Sequence, residues 1–201
     1  MPLKIAVCIS GGGSNLLALL ESLRNFGGAK VVLVLSNRAS AGGLGHAKSF
    51  GVAAAVFRNP SDGDEWLGPL RQHHVDLIVL AGYLKLVPPA VIAAYRDRII
   101  NIHPALLPSF GGPGMYGLRV HQAVLASGDK TSGCTVHLVD EVYDRGPILA
   151  LSRVPVLPGD TAETLAARVL EAEHRLLPAV VRAAAEAGRP IPLPEPLESN
   201  P

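Results

Sequence analysis

Five short apolar runs, each followed by a turn and a helix-length segment, dominate the first half of this 201-residue chain. They fall at 3–9, 30–35, 52–57, 76–82 and 98–103. Between them lie helical patterns at 15–26 and 42–50, a segment carrying Trp66, Leu67 and Leu70, and a stretch opened by Pro88-Pro89 that runs to Tyr95. Runs that are apolar on consecutive residues, rather than alternate ones, belong to strands buried on both faces. Strands separated by helices return in the same direction. The expected fold is therefore α/β, with a Rossmann-like, mostly parallel sheet and helices on both faces.

Beyond residue 103 the pattern changes. Residues 108–117 form a loop with four glycines and two prolines, and a short helix follows at 120–127. Two strand-like runs, 131–139 and 147–156, are joined by a connection too short for a helical crossover, so they should pair antiparallel at the C-terminal end of the sheet. A last helix is expected over 161–187, capped by Thr161 and ended by Gly188, with Leu165, Val169 and Leu176 on its core-facing stripe. One domain is expected over 1–188. The tail, 189–201, holds five prolines and reads as extended and poorly ordered.

Composition narrows the function classes. The charge balance is 18 basic to 17 acidic, aromatics are 4%, and no cluster of Lys and Arg is interleaved with aromatics, so nucleic acid is not an expected partner. The longest apolar run, 77–84, stops at Lys85, too short to span a bilayer. The N-terminus lacks a signal-peptide pattern, which makes the cytoplasm the expected compartment. Cys8 and Cys134 lie inside apolar runs and read as buried small hydrophobes. His46, His73, His74, His121, His137 and His174 are scattered without ligand spacing, and no metal is expected. Monomer and homodimer both remain open.

Two polar clusters carry the chemistry. Ser10-Gly11-Gly12-Gly13-Ser14-Asn15 joins the first strand to the first helix, where converging N–H groups and the helix dipole suit a phosphate; an ordinary tight turn is the plainer reading. It is not a P-loop, because no Gly-Lys-Ser/Thr follows. Leu16 stands where a dinucleotide fingerprint has Gly or Ala. The second strand ends Ser36-Asn37-Arg38, with no acid for a ribose diol, which disfavours NAD and leaves a small opening for NADP. The second cluster starts with Asn101-Ile102-His103-Pro104, which closes the fifth strand. Asn101 and His103 are two apart and point to the same side, so both can donate to one developing oxyanion. Asp144-Arg145-Gly146-Pro147 follows the strand at 131–139 and adds a carboxylate for proton transfer. Open α/β sheets bind ligands at these C-terminal strand ends.

In order, 9–15, Leu80-Ala81-Gly82-Tyr83-Leu84-Lys85-Leu86, 101–108, and 133–137 with 144–148 resemble the segments of the glycinamide ribonucleotide formyltransferase family. The resemblance covers roughly residues 3–187. It implies 10-formyltetrahydrofolate as co-substrate, with no metal, and a ribonucleotide amine as acceptor in purine synthesis. It also implies a catalytic trio of Asn101, His103 and Asp144, with Asp144 keeping His103 charged. Gly12, Gly13, Ser14, Asn15 and Glu173 would hold the ribonucleotide. Leu84, Lys85, Leu86, Val87 and Asn101 would line the folate pocket, with Arg58 a candidate for the folate tail and loop 108–117 closing over the nucleotide. A formyltetrahydrofolate deformylase would use the same trio on water, though that group usually adds an N-terminal domain. A methionyl-tRNA formyltransferase needs a basic C-terminal domain in place of the Pro-rich tail. A nucleotide-binding module without catalysis would make the trio incidental.

Overall fold

The structure, a computed structural model, describes residues 1–193. Seven strands form one sheet in the order β3-β2-β1-β4-β5-β6-β7. They are β1 (Leu3–Ile9), β2 (Ala29–Ser36), β3 (Ala53–Val56), β4 (Leu77–Leu80), β5 (Ile99–His103), β6 (Thr131–Leu138) and β7 (Ile148–Pro155). Six helices are seen among the described residues: α1 (Ser14–Leu23), α2 (Gly43–Ser49), α3 (Gly63–Gln72), α4 (Pro89–Ala94), α5 (Leu118–Ser127) and α6 (Ala162–Ala187). β1 to β5 pair with one another in parallel. β6 is antiparallel to β7, as its short connection requires, and antiparallel to β5 as well. The second antiparallel step was not legible, because loop 108–117 and α5 resemble a crossover in length yet return the chain to the end it left.

The sheet divides two apolar layers. Ile5, Val7 and Ile9 of β1 pack with Leu16, Leu19 and Leu20 of α1 and Leu165, Val169, Leu176 and Leu177 of α6. Ala6 and Cys8 face the other way, toward Trp66 and Leu70 of α3 and Val91 and Ile92 of α4. Burial of both β1 faces explains its unbroken apolar run. The helix α6 starts at a reciprocal cap, in which Thr164 N–H donates to Thr161 Oγ1 and Thr161 N–H to Thr164 Oγ1. It ends at Gly188 in the left-handed region, φ 72°. Beyond it, Leu193 N–H donates to the Leu149 carbonyl at the outer strand of the sheet, 2.8 Å. The rest of the Pro-rich tail, 194–201, lies outside the described residues.

The chain runs outward through β1, β2 and β3, then crosses back to place β4 on the other side of β1. This reversal opens a crevice at the C-terminal ends of β1 and β4. Its two lips are tied together. Ser10 N–H donates to the Gly82 carbonyl at 3.1 Å, and Leu84 N–H donates to Ser10 Oγ at 2.9 Å.

Candidate active site

A cavity of about 540 Å³ lies at the strand ends. Of the residues singled out in the sequence, Asn15, Leu84, Lys85, Leu86, Val87, Asn101, His103, Asp144 and Glu173 all line it. Gly12, Gly13 and Ser14 do not; they sit one step back at the start of α1, and only Asn15 reaches the cavity wall. Arg58 is not part of the lining either. Its side chain is 93% exposed and its Nε pairs with Glu65 at 3.4 Å. Among the described residues, Lys85 is the cation of the cavity lining.

β5 supplies the centre. Ile99 gives its side chain to the α3/α4 layer, and Asn101 and His103 follow on the same side at two-residue spacing. The antiparallel register sets Asn101 opposite His137 of β6 and His103 opposite Thr135. His137 Nδ1 donates to the Leu138 carbonyl at 2.8 Å, which leaves Nε2 to accept from Asn101 Nδ2 at 3.0 Å. An amide nitrogen carries two N–H groups, so one is left for the cavity. Thr135 Oγ1 donates to the Ala105 carbonyl and accepts from Leu107 N–H, fixing the chain as it leaves β5.

Asp144 is not at a strand end, as its sequence position suggested. It lies in the β6–β7 connection, which doubles back toward β5. Asp144 Oδ2 is 3.6 Å from His103 Nδ1, and Oδ1 is 3.5 Å from His137 Nε2. Gly112 N–H donates to Asp144 Oδ2 at 2.8 Å, and His103 Nε2 donates to the Phe110 carbonyl at 2.8 Å. Loop 108–117 thus holds both His103 and Asp144 by its backbone. Phe110 and Asp144 adopt φ of 56° and 54°, a conformation uncommon outside glycine. Such outliers concentrate where function over-determines the backbone.

Electrostatics separates the two groups. Burial lowers the His103 pKa, and Asp144 and the Phe110 carbonyl only partly oppose it. The imidazole is therefore held toward its neutral form, whereas the sequence reading had Asp144 keeping it charged; desolvation of a ring 4% exposed outweighs a carboxylate 3.6 Å away. Burial pushes the Asp144 pKa up, but His137 and His103 when protonated, together with the Gly112 N–H, pull it further down, so it stays a carboxylate.

The far end of the cavity is built differently. Glu173 lies on the buried stripe of α6 among Val169, Ala172 and Leu176. Its Oε2 accepts from Asn15 Nδ2 at 2.6 Å, linking α6 to the start of α1. Burial pushes the Glu173 pKa up to about 7, against a smaller downward pull from Asn15. The Asn15 Oδ1 is buried without a partner. Beside it, Gly13 at φ 77° packs so closely on α2 that an added Cβ would come 2.6 Å from Gly43 Cα. Gly12 has open space at the same point.

Sequence reasoning missed His137, whose partnership with Asn101 depends on strand register, and His121. His121 is 4% exposed, lines the cavity and has an unpartnered Nδ1; burial and the nearby His103 lower its pKa. Among the described residues no group of three or more His, Cys, Asp or Glu is placed to hold a metal. No described helix is long and apolar enough to cross a membrane.

A family model described as formyl transferase matches residues 3–181. The chain is 49% identical to the chloroplastic phosphoribosylglycinamide formyltransferase of Arabidopsis thaliana, over 91% of this chain and 65% of that one. It therefore spans somewhat less than two thirds of that plant relative. It is 39% identical to the phosphoribosylglycinamide formyltransferase of Haemophilus influenzae, over 89% of this chain and 85% of that one. The crystal structure of the Brucella melitensis phosphoribosylglycinamide formyltransferase superposes with a TM-score of 0.84 at 47% identity, covering 92% of this chain and 96% of that one. With a family match over most of its length and this fold, the chain belongs to the formyltransferase family.

Proposed function

We propose that the chain transfers the formyl group of 10-formyltetrahydrofolate to the amine of glycinamide ribonucleotide, as a step of purine synthesis. The observation that carries this reading is the shape of the cavity. One end offers an amide, an imidazole and a carboxylate, and the other offers Asn15 and Glu173 next to a glycine-rich helix start. A hydrolase acting on folate and water has no use for the second end.

The folate side chain lies between Leu84–Val87 and the β6–β7 connection, with its formyl carbon at Asn101. Gly12, Gly13 and Ser14 receive the phosphate at the α1 N-terminus, with Asn15 and Glu173 on the ribose side. The amine attacks the formyl carbon and forms a tetrahedral oxyanion. The second N–H of Asn101 donates to it, and His103 Nε2–H turns to it from the Phe110 carbonyl as loop 108–117 adjusts. Each such donor contributes about 3–4 kcal/mol to the transition state. Asp144, kept ionised, takes the amine proton directly or through water and passes it to the folate N10 as the C–N10 bond breaks, which re-forms the formyl carbonyl and releases tetrahydrofolate. Both substrates are charged and water-soluble, which suits the cytoplasm.

The test is a formyl-transfer assay with and without the ribonucleotide amine. One formylated amine for each folate released is expected, with no folate turnover when the amine is omitted. Formate release without formylated amine would replace this reading with the deformylase.

A further inference from the structure

The inner side of α5 does two things. Val124 packs into the layer shared by α1 and α6, and His121, one turn earlier on the same side of the helix, lines the cavity. The cavity wall continues from there onto α6, through Ala167 and Leu170 to Glu173. Val87 of the folate-side wall belongs to the opposite layer, with α3 and α4. His121 therefore stands in the half of the cavity that holds Asn15 and Glu173. It is also close enough to His103 for the two rings to repel each other's charged forms. Its place is between the reactive end and the Glu173 end.

His121 makes no hydrogen bond among the described residues. Of its two ring nitrogens, Nδ1 is the one sealed from solvent, so the accessible edge of the ring that meets the cavity is the edge carrying Nε2. Burial and His103 hold the ring in its neutral form. A neutral imidazole carries one N–H. On Nδ1 that proton would be buried with no acceptor, a placement that costs its full desolvation, whereas on Nε2 it faces the cavity. Packing gives no reason for an imidazole here, since leucine would fill the space and leave no nitrogen unpaired.

In glycinamide ribonucleotide the amine and the ribose are joined through a methylene and an amide. With the amine at Asn101 and His103 and the ribose at Asn15 and Glu173, the acceptor atom that passes between the two ends is the amide carbonyl oxygen. Resting on the formyl-transfer reading, we propose that His121 is a specificity contact for the acceptor substrate, donating from Nε2–H to the amide carbonyl that links its amine to its ribose. An amine without that carbonyl leaves the donor unpaired on binding and is disfavoured. Folate binding, on the opposite layer, does not depend on it.

His121→Leu and His121→Gln test this by steady-state kinetics with each substrate varied, together with thermal unfolding. Leucine removes the donor; glutamine carries an amide nitrogen at about the reach of Nε2 and restores it. His121→Leu should raise the KM for the ribonucleotide amine about tenfold, equivalent to about 1.4 kcal/mol, with the KM for 10-formyltetrahydrofolate changed less than twofold and Tm undiminished. His121→Gln should return the amine KM to within threefold of the parent. An unchanged amine KM in His121→Leu overturns the proposal, as does a glutamine variant no better than the leucine one. A loss of Tm with both KM values rising together also overturns it, because that marks a structural imidazole. If the unaltered protein transfers no formyl group to the amine, the functional reading has failed instead, before the variants are compared.

Discussion

Glu173 gives the sharpest physical test of the site. Its carboxyl sits on the apolar stripe of α6, 7% exposed, and titrates near 7 instead of the ordinary 4.5. A carboxyl whose pKa rises on folding favours the folded state through its neutral form. That contribution is fully present below 4.5 and is lost as pH climbs through 7. Between 4.5 and about 7, at about 1.36 kcal/mol per pH unit, the loss comes to about 3 kcal/mol. Glu173→Gln keeps an oxygen to accept from Asn15 Nδ2 and cannot ionise. Urea unfolding of parent and variant from pH 4.5 to 8.5 should show similar stabilities at the acid end. At the alkaline end the variant should be more stable by about 3 kcal/mol. Other titrating groups are common to both proteins and cancel in the difference. The same substitution should weaken binding of the ribonucleotide amine, the usual exchange at a site that holds a charge for its ligand. A difference in stability that stays flat with pH would refute the claim that burial of this carboxyl governs its ionisation.

Three further outcomes follow from the geometry. His103→Ala and Asp144→Asn should each lower kcat by at least about 100-fold with an unchanged circular dichroism spectrum, since both act on transition-state charge; near-parental turnover in either folded variant would remove it from the trio. His137→Phe should lower kcat by about tenfold or more with small changes in KM, because Asn101 loses the acceptor that orients its amide; a KM effect alone would assign His137 to substrate binding. Gly12→Ala should fold normally and weaken the phosphorylated substrate more than folate, whereas Gly13→Ala should lower Tm before any ligand is added, because its Cβ meets the Gly43 backbone at positive φ. Separate titrations and melting curves distinguish the two glycines.

Much of this protein is local information. The unbroken apolar runs of β1 and β4 state that both faces are covered, and hence that the sheet is parallel and central. The Thr161 cap and Gly188 stop are set by residues within one turn of the helix ends. Asn101 and His103 share a side because a strand has period two. Other features depend on contacts between segments far apart in the chain. His137 joins Asn101 only through the β5–β6 register, and β6 was not recognisable as antiparallel to β5. Asp144 reaches the cavity from a connection that folds back, held by Gly112 across 32 residues. The neutral bias of His103 and the high pKa of Glu173 come from desolvation, which depends on everything packed around a group and on nothing beside it in sequence. The sequence by itself determined which elements form and where along them the candidate polar side chains fall. Tertiary structure alone decided their partners and their protonation, because register, burial and dielectric are properties of the assembled sheet.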